Sequence, residues 1–199
     1  MEEATERWRL TVDYLADDSG PAMSIATTWG TSEEERALPF PCDRHLERSD
    51  AAYYRGVTIE APPSIVFRWL CQMRVAPYSY DWIDNFGRKS PRELTPGLDQ
   101  LEIGQRVMIG PLVEFERDRH LTVLMRSRLW GTMSVTYMIV PQAADGCRVL
   151  VKLMARYPRG PIGWIERLVL PWGDLIMMRK QLLNFKALAE REARGTPGN

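Results

Sequence analysis

Between Arg106 and Arg156 apolar residues return at short intervals in five separate segments, and from Ile162 to about Arg191 they return with the period of a helix. That change of period constrains the fold more than any other feature of the chain. The five segments are Arg106 to Ile109, Leu112 to Glu116, Leu121 to Arg126, Thr132 to Val140 and Arg148 to Arg156, each set off by turn residues. Spacing of this kind predicts an antiparallel meander. The helical stretch carries Ile165, Leu168, Trp172, Leu175, Ile176, Leu182 and Leu183, and Pro171 inside it predicts a kink or two helices meeting there. A curved sheet must cover its inner face, and this closing helix is the cover available.

Upstream, Tyr54, Gly56 and Val57-Thr58-Ile59 read as an opening strand, ended by Glu60-Ala61-Pro62-Pro63. Pro63 or Ser64 then opens a helix with Ile65, Val66, Trp69, Leu70 and Met73 on one stripe, and a second short helix is expected from Tyr80 to Phe86, closed by Gly87. Before all this, Trp8, Val12 and Leu15 sit at helical spacing and stop at Asp17-Asp18-Ser19-Gly20-Pro21. Residues 1–50 therefore read as an amphipathic appendage followed by a stretch from Met23 to Asp50 that wraps the surface with little regular structure. Residues 51–194 form the main domain and 195–199 a loose tail.

Several function classes are excluded on composition. Lys plus Arg number 26 and Asp plus Glu number 26, so no net field draws the chain to nucleic acid. The longest apolar runs are far shorter than the roughly 20 residues of a membrane span, and the acidic start lacks the apolar core of a signal peptide. A cytoplasmic protein with no integral membrane segment is expected. Cys42, Cys71 and Cys147 are widely spaced, and His45 and His120 fall in different segments, so neither disulfides nor a metal site is expected. No glycine-rich phosphate loop, dinucleotide fingerprint or nucleophile elbow occurs. No cofactor is called for.

The order of elements, together with Val57-Thr58-Ile59-Glu60-Ala61-Pro62-Pro63-Ser64-Ile65-Val66-Phe67-Arg68-Trp69-Leu70-Cys71-Gln72-Met73, resembles the START-like helix-grip (SRPBCC) superfamily. Pro77 to Asn85, Leu101-Glu102-Ile103-Gly104-Gln105-Arg106 and Met177-Met178-Arg179-Lys180-Gln181-Leu182 are similar to a largely uncharacterised, polyketide cyclase/dehydrase-like bacterial subgroup. The likeness runs from about Trp29 to Glu192. It implies an α+β helix-grip fold, a curved antiparallel sheet wrapped around a long C-terminal helix, with two short helices after the first strand. It also implies a gripped cavity.

Strand parity selects the residues that face that cavity. On one strand Met133, Val135, Tyr137 and Ile139 face inward while Thr132, Ser134 and Thr136 face out; on the next, Val149, Val151, Leu153 and Ala155 oppose Arg148, Lys152 and Arg156. With Trp69, Met73, Trp172, Leu175 and Ile176 they would line an apolar space, or pack it solid. Tyr78-Ser79-Tyr80-Asp81-Trp82 combines amphipathic rings with a carboxylate, as suits a pocket mouth, or else anchors the second helix. Tyr137 is the best candidate for a polar group inside: it would orient a ligand carbonyl, serve as a general acid if its pKa were shifted, or sit as a core tyrosine bonded to a backbone carbonyl. Arg106 is either a bidentate partner for a carboxylate or phosphate, or a plain surface charge. His120, inside Glu116-Arg117-Asp118-Arg119-His120, is expected in a solvated turn. No residue is assigned as catalytic.

Three functions fit this reading: a binding or carrier protein for a hydrophobic small molecule such as a lipid or polyketide-like metabolite, a cyclase or dehydrase acting in the same cavity, or an interaction module using the N-terminal helix. The last also allows a homodimer.

Overall fold

A computed structural model describes residues 25–80, 82, 87, 89–108, 110–143 and 145–195. The amphipathic segment around Trp8, Val12 and Leu15 and most of the expected second helix lie outside these residues. Six strands form one antiparallel sheet: β1 (Ala51–Ile59), β2 (Arg106–Val107), β3 (Gly110–Glu116), β4 (His120–Ser127), β5 (Gly131–Pro141) and β6 (Cys147–Arg156), in the order β1-β6-β5-β4-β3-β2. The closing helix, named α5 below, runs Pro161–Gly195 as one element through Pro171, so the expectation of two helices meeting at the proline is corrected. This is the helix-grip arrangement.

The inward parity holds on both long strands. Val135, Tyr137 and Ile139 on β5, and Val149, Val151, Leu153 and Ala155 on β6, are buried in the main core with α4 (Pro63–Cys71) and the inner face of α5. Pro63 stands at the first turn of α4, where its missing N–H costs nothing.

The outer face differs from expectation. Residues 25–46 contain three short helices: α1 (Ile25–Thr28) packs against edge strand β1 and α5, while α2 (Glu33–Arg36) and α3 (Cys42–His45) lie over the back of the sheet. Phe40, Cys42 and Leu46 pack there against Leu150 and Met154 in a second cluster. Ser134 and Thr136 point outward as parity requires, yet both are fully buried beneath this layer. The Thr136 hydroxyl is used: Cys42 N–H donates to Thr136 Oγ1 at 2.9 Å, and Thr136 Oγ1 meets Thr122 Oγ1 at 2.8 Å, whereas Ser134 Oγ is buried without a partner. Outward charges clamp the layer further, with Arg148 Nε 2.6 Å from Glu35 Oε1 and Lys152 Nζ 2.5 Å from Asp43 Oδ1. Where the layer crosses β1, Gly56 N–H donates to Trp29 O at 3.1 Å. Gly30 and Gly56 meet there so closely that a Cβ on Gly30, whose φ is +74°, would stand 2.3 Å from Gly56 O.

Candidate functional site

The concave face of the sheet does not close completely on α5. A cavity of about 630 Å³ remains, floored by Val123, Val135 and Leu153, which lie in register across β4, β5 and β6. Its walls come from the loop after α4, from β2, and from one face of α5 around Val169, Gly173 and Met177. The α5 wall belongs to the half of the helix that precedes the tightly packed stretch Leu182, Phe185 and Ala189.

One row of the sheet builds the polar corner. Tyr137 on β5 pairs with Val151 on β6, which pairs with Arg55 on β1, so all three point to the same face in a line. Two strand spacings are about 9.6 Å, and the seven residues from Asp174 to Gln181 rise about 10.5 Å along a helix. Laid across the strands, α5 therefore sets Asp174 over Arg55 and Gln181 over Tyr137. Tyr137 Oη donates to Gln181 Oε1 at 2.7 Å, and Gln181 Nε2 donates to Pro77 O at 2.6 Å. Arg55 Nη2 lies 2.7 Å from Asp174 Oδ2, with both side chains more than nine-tenths buried.

The electrostatics of this corner follow from burial. The Tyr137 phenol is pushed far above its ordinary range by burial, and the Asp174 charge adds to the shift, outweighing the Gln181 hydrogen bond. Burial also raises the Asp174 carboxyl, with Arg55 pulling against it. The three thiols, all buried, are raised by desolvation: Cys42 to about 11, Cys71 to about 12 and Cys147 to about 11.

Among the expected site residues, Met73, Arg106, Met133, Val135, Tyr137 and Leu153 border the cavity. Trp69 and Tyr78 stand behind it in the core: their rings meet edge to face at 6.2 Å, and Trp69 Nε1 donates to Glu192 Oε2 at 2.7 Å. Val151 is buried in the inner row beneath α5 rather than against open space, and Tyr80 is half-buried outside the cavity wall. Three expectations are corrected by exposure. Trp82 is 75 % exposed, while Trp172 and Ile176 are each 54 % exposed, on the outer side of α5. The first half of α5 carries two apolar stripes, and it is the one through Leu175, Met178, Leu182 and Phe185 that turns inward. Spacing alone cannot choose between two such stripes.

His120 is likewise corrected: it opens β4 with a side chain only 13 % exposed, 3.4 Å from Glu114, which also meets His45 at 2.8 Å and Arg44. Desolvation opposes these partners, but together they hold the Glu114 carboxyl below its usual value. Sequence reasoning missed Arg55, Asp174 and Gln181. A signal existed: Arg55 shares parity with Tyr53, Val57 and Ile59, and Asp174 is a lone acid in the run from Leu168 to Ile176.

A curved antiparallel sheet gripping a long helix over a cavity defines the helix-grip class. No family model and no curated protein matches the sequence. Solved structures resemble its chain path at low identity. The Zhui aromatase/cyclase from Streptomyces sp. R1128 is 15 % identical with a TM-score of 0.48, over 74 % of this chain and 98 % of that one. The di-domain aromatase/cyclase StfQ of the steffimycin biosynthetic pathway is 13 % identical with a TM-score of 0.44, over 76 % and 55 %. Protein MLL2253 from Mesorhizobium loti is 15 % identical with a TM-score of 0.44, over 70 % and 97 %. Likeness at this level does not carry an activity from one protein to another.

Proposed function

We propose that this protein binds and carries a hydrophobic small molecule, of lipid or polyketide-like character, in the cavity between the sheet and α5. The observation that carries the reading is the cavity itself: at about 630 Å³ it falls within the roughly 300 to 1,000 Å³ of small-molecule sites, and its floor is aliphatic. Burying about 300 Å² of apolar ligand surface would favour binding by roughly 7 kcal/mol before association costs. Met73, Met108, Met133 and Met177 around the walls give a surface that adapts to ligand shape. A cyclase acting in the same space would need a proton donor facing its substrate. Tyr137 is a poor one, because its phenol is raised far above neutrality and its hydrogen is already given to Gln181.

The test is native mass spectrometry of the purified protein, with extraction of any released mass, alongside titration with an environment-sensitive apolar dye. Retention of an apolar mass or saturable dye binding is expected, and Val135→Trp, which fills the cavity from its floor, should weaken dye binding about tenfold or more while leaving far-UV circular dichroism unchanged. A protein that binds neither, or a Val135→Trp variant that binds as well as the parent, refutes the reading.

A further inference from the structure

The first half of α5 turns an apolar seam away from the sheet. Ile162, Ile165, Val169, Trp172 and Ile176 alternate three and four residues apart, with Leu168 beside them, and each of the six is between 41 and 60 % exposed. That alternation is the pattern of a seam that packs against another helix. A contiguous exposed apolar strip of this kind marks an interaction surface. The charges around it are of one sign. Within residues 159–180 both acids, Glu166 and Asp174, have buried side chains, so the accessible charges are Arg159, Arg167, Arg179 and Lys180.

We infer that the seam is the docking face for this chain's own N-terminal segment, residues 1–15. Three observations converge on that occupant. Trp8, Val12 and Leu15 repeat the alternation of four and three, so the segment offers a matching apolar stripe. Its charge is opposite: residues 1–20 contain Glu2, Glu3, Glu6, Asp13, Asp17 and Asp18 against Arg7 and Arg9. The segment also enters the fold at the right place. Arg55 Nη2 donates to Ala26 O at 2.8 Å and to Pro171 O at 3.3 Å, which sets α1 beside the middle of the seam. From there residues 16–24 can reach about 30 Å when extended, more than enough for either end of a seam that is about 21 Å long from Ile162 to Ile176. A helix over residues 1–15, as the spacing of Trp8, Val12 and Leu15 predicts, has that same length of about 21 Å. A second copy fits less well, because it would bring the same basic side chains together, and a bilayer reads a broader apolar face than this narrow seam.

Hydrogen exchange read by mass spectrometry on the full chain tests the docking. Amides of residues 5–15 should exchange about tenfold or more slowly than in a synthetic peptide of residues 1–20. In full-chain Ile165→Glu/Trp172→Glu, two exposed positions whose change leaves the core intact, exchange at 5–15 should rise to the peptide rate with far-UV circular dichroism of the domain retained. Peptide-rate exchange at 5–15 in the parent overturns the inference and needs no variant to fold. Protection that survives the double substitution overturns it too, since the segment would then be held elsewhere. Light scattering should give a monomer mass, and the parent should not sediment with phosphatidylglycerol/phosphatidylcholine vesicles. A dimer, or vesicle binding, that the double substitution abolishes would assign the seam to a second copy or to a bilayer instead.

Discussion

Thr136→Val exchanges one hydroxyl for a methyl group of nearly the same size at a fully buried position on the outer face of β5. No cavity is made, so the effect isolates hydrogen bonding. Two groups lose a partner: the Cys42 N–H, now 2.9 Å from Thr136 Oγ1, and the Thr122 hydroxyl, now 2.8 Å from it. A buried polar group left without a partner costs about 1 to 3 kcal/mol, so with two such groups the substitution should destabilise the protein by about 2 to 6 kcal/mol. For a chain of this length that lowers Tm by roughly 4 to 24 °C. The assay is urea denaturation followed by tryptophan fluorescence, fitted with a common m-value for the two proteins. The double variant Thr122→Val/Thr136→Val leaves only the Cys42 N–H unpaired and should recover about 1 to 2 kcal/mol of the loss. A single variant within about 0.5 kcal/mol of the parent, or a double variant no better than the single, would refute the claim that residues 40–46 are bonded to the back of the sheet.

Further outcomes follow from other buried groups. Burial raises the pKa of Glu166, and both its carboxylate oxygens are buried without a hydrogen bond. A raised folded pKa means that stability is lost as pH climbs through it, so Glu166→Leu should gain about 1 kcal/mol at pH 7, the gain vanishing below about pH 4 where the parent carboxyl is protonated in both states. The thiols at about 11 and 12 are thiolate to roughly one part in a thousand or less at pH 8. Ellman's reagent should therefore find almost no reactive thiol in the native protein and three after denaturation; fast native reaction at any of them would contradict their burial. Tyr137→Phe leaves Gln181 Oε1 without its 2.7 Å donor and should cost about 1 to 3 kcal/mol in thermal or urea melts. An unchanged melt would mean that Gln181 has another partner.

The strands, the closing helix and the inward parity of Val135, Tyr137, Val149 and Leu153 were legible because alternation along a strand and periodicity along a helix are properties of sequence alone. The covering of the outer face was not. Thr136 and Lys152 carry the polarity of a solvated face, and contact with residues 40–46, far away in sequence, is what covers them. The cavity floor was legible through Met133, Val135 and Leu153, but the helix wall was misread as Trp172 and Ile176, since two apolar stripes compete in the same turns of α5. Arg55 and Asp174 were overlooked for a related reason. Each is a charged residue in an apolar run, and its meaning depends on a partner more than a hundred residues off.

Arg55 holds more than a carboxylate. Its Nη1 donates to Tyr54 O on its own strand, and its Nη2 to Ala26 O on α1 and Pro171 O on α5. One side chain thus links α1, the first strand and the helix that walls the cavity. Thermodynamic reciprocity then applies between α1 and the cavity. Whatever changes the charge or the hydrogen bonding of Asp174 alters how firmly α1 is held, and detaching α1 alters the cavity in return. In hydrogen-exchange terms, occupancy of the cavity should be readable as slowed opening at residues 25–30, at the β1 edge of the sheet.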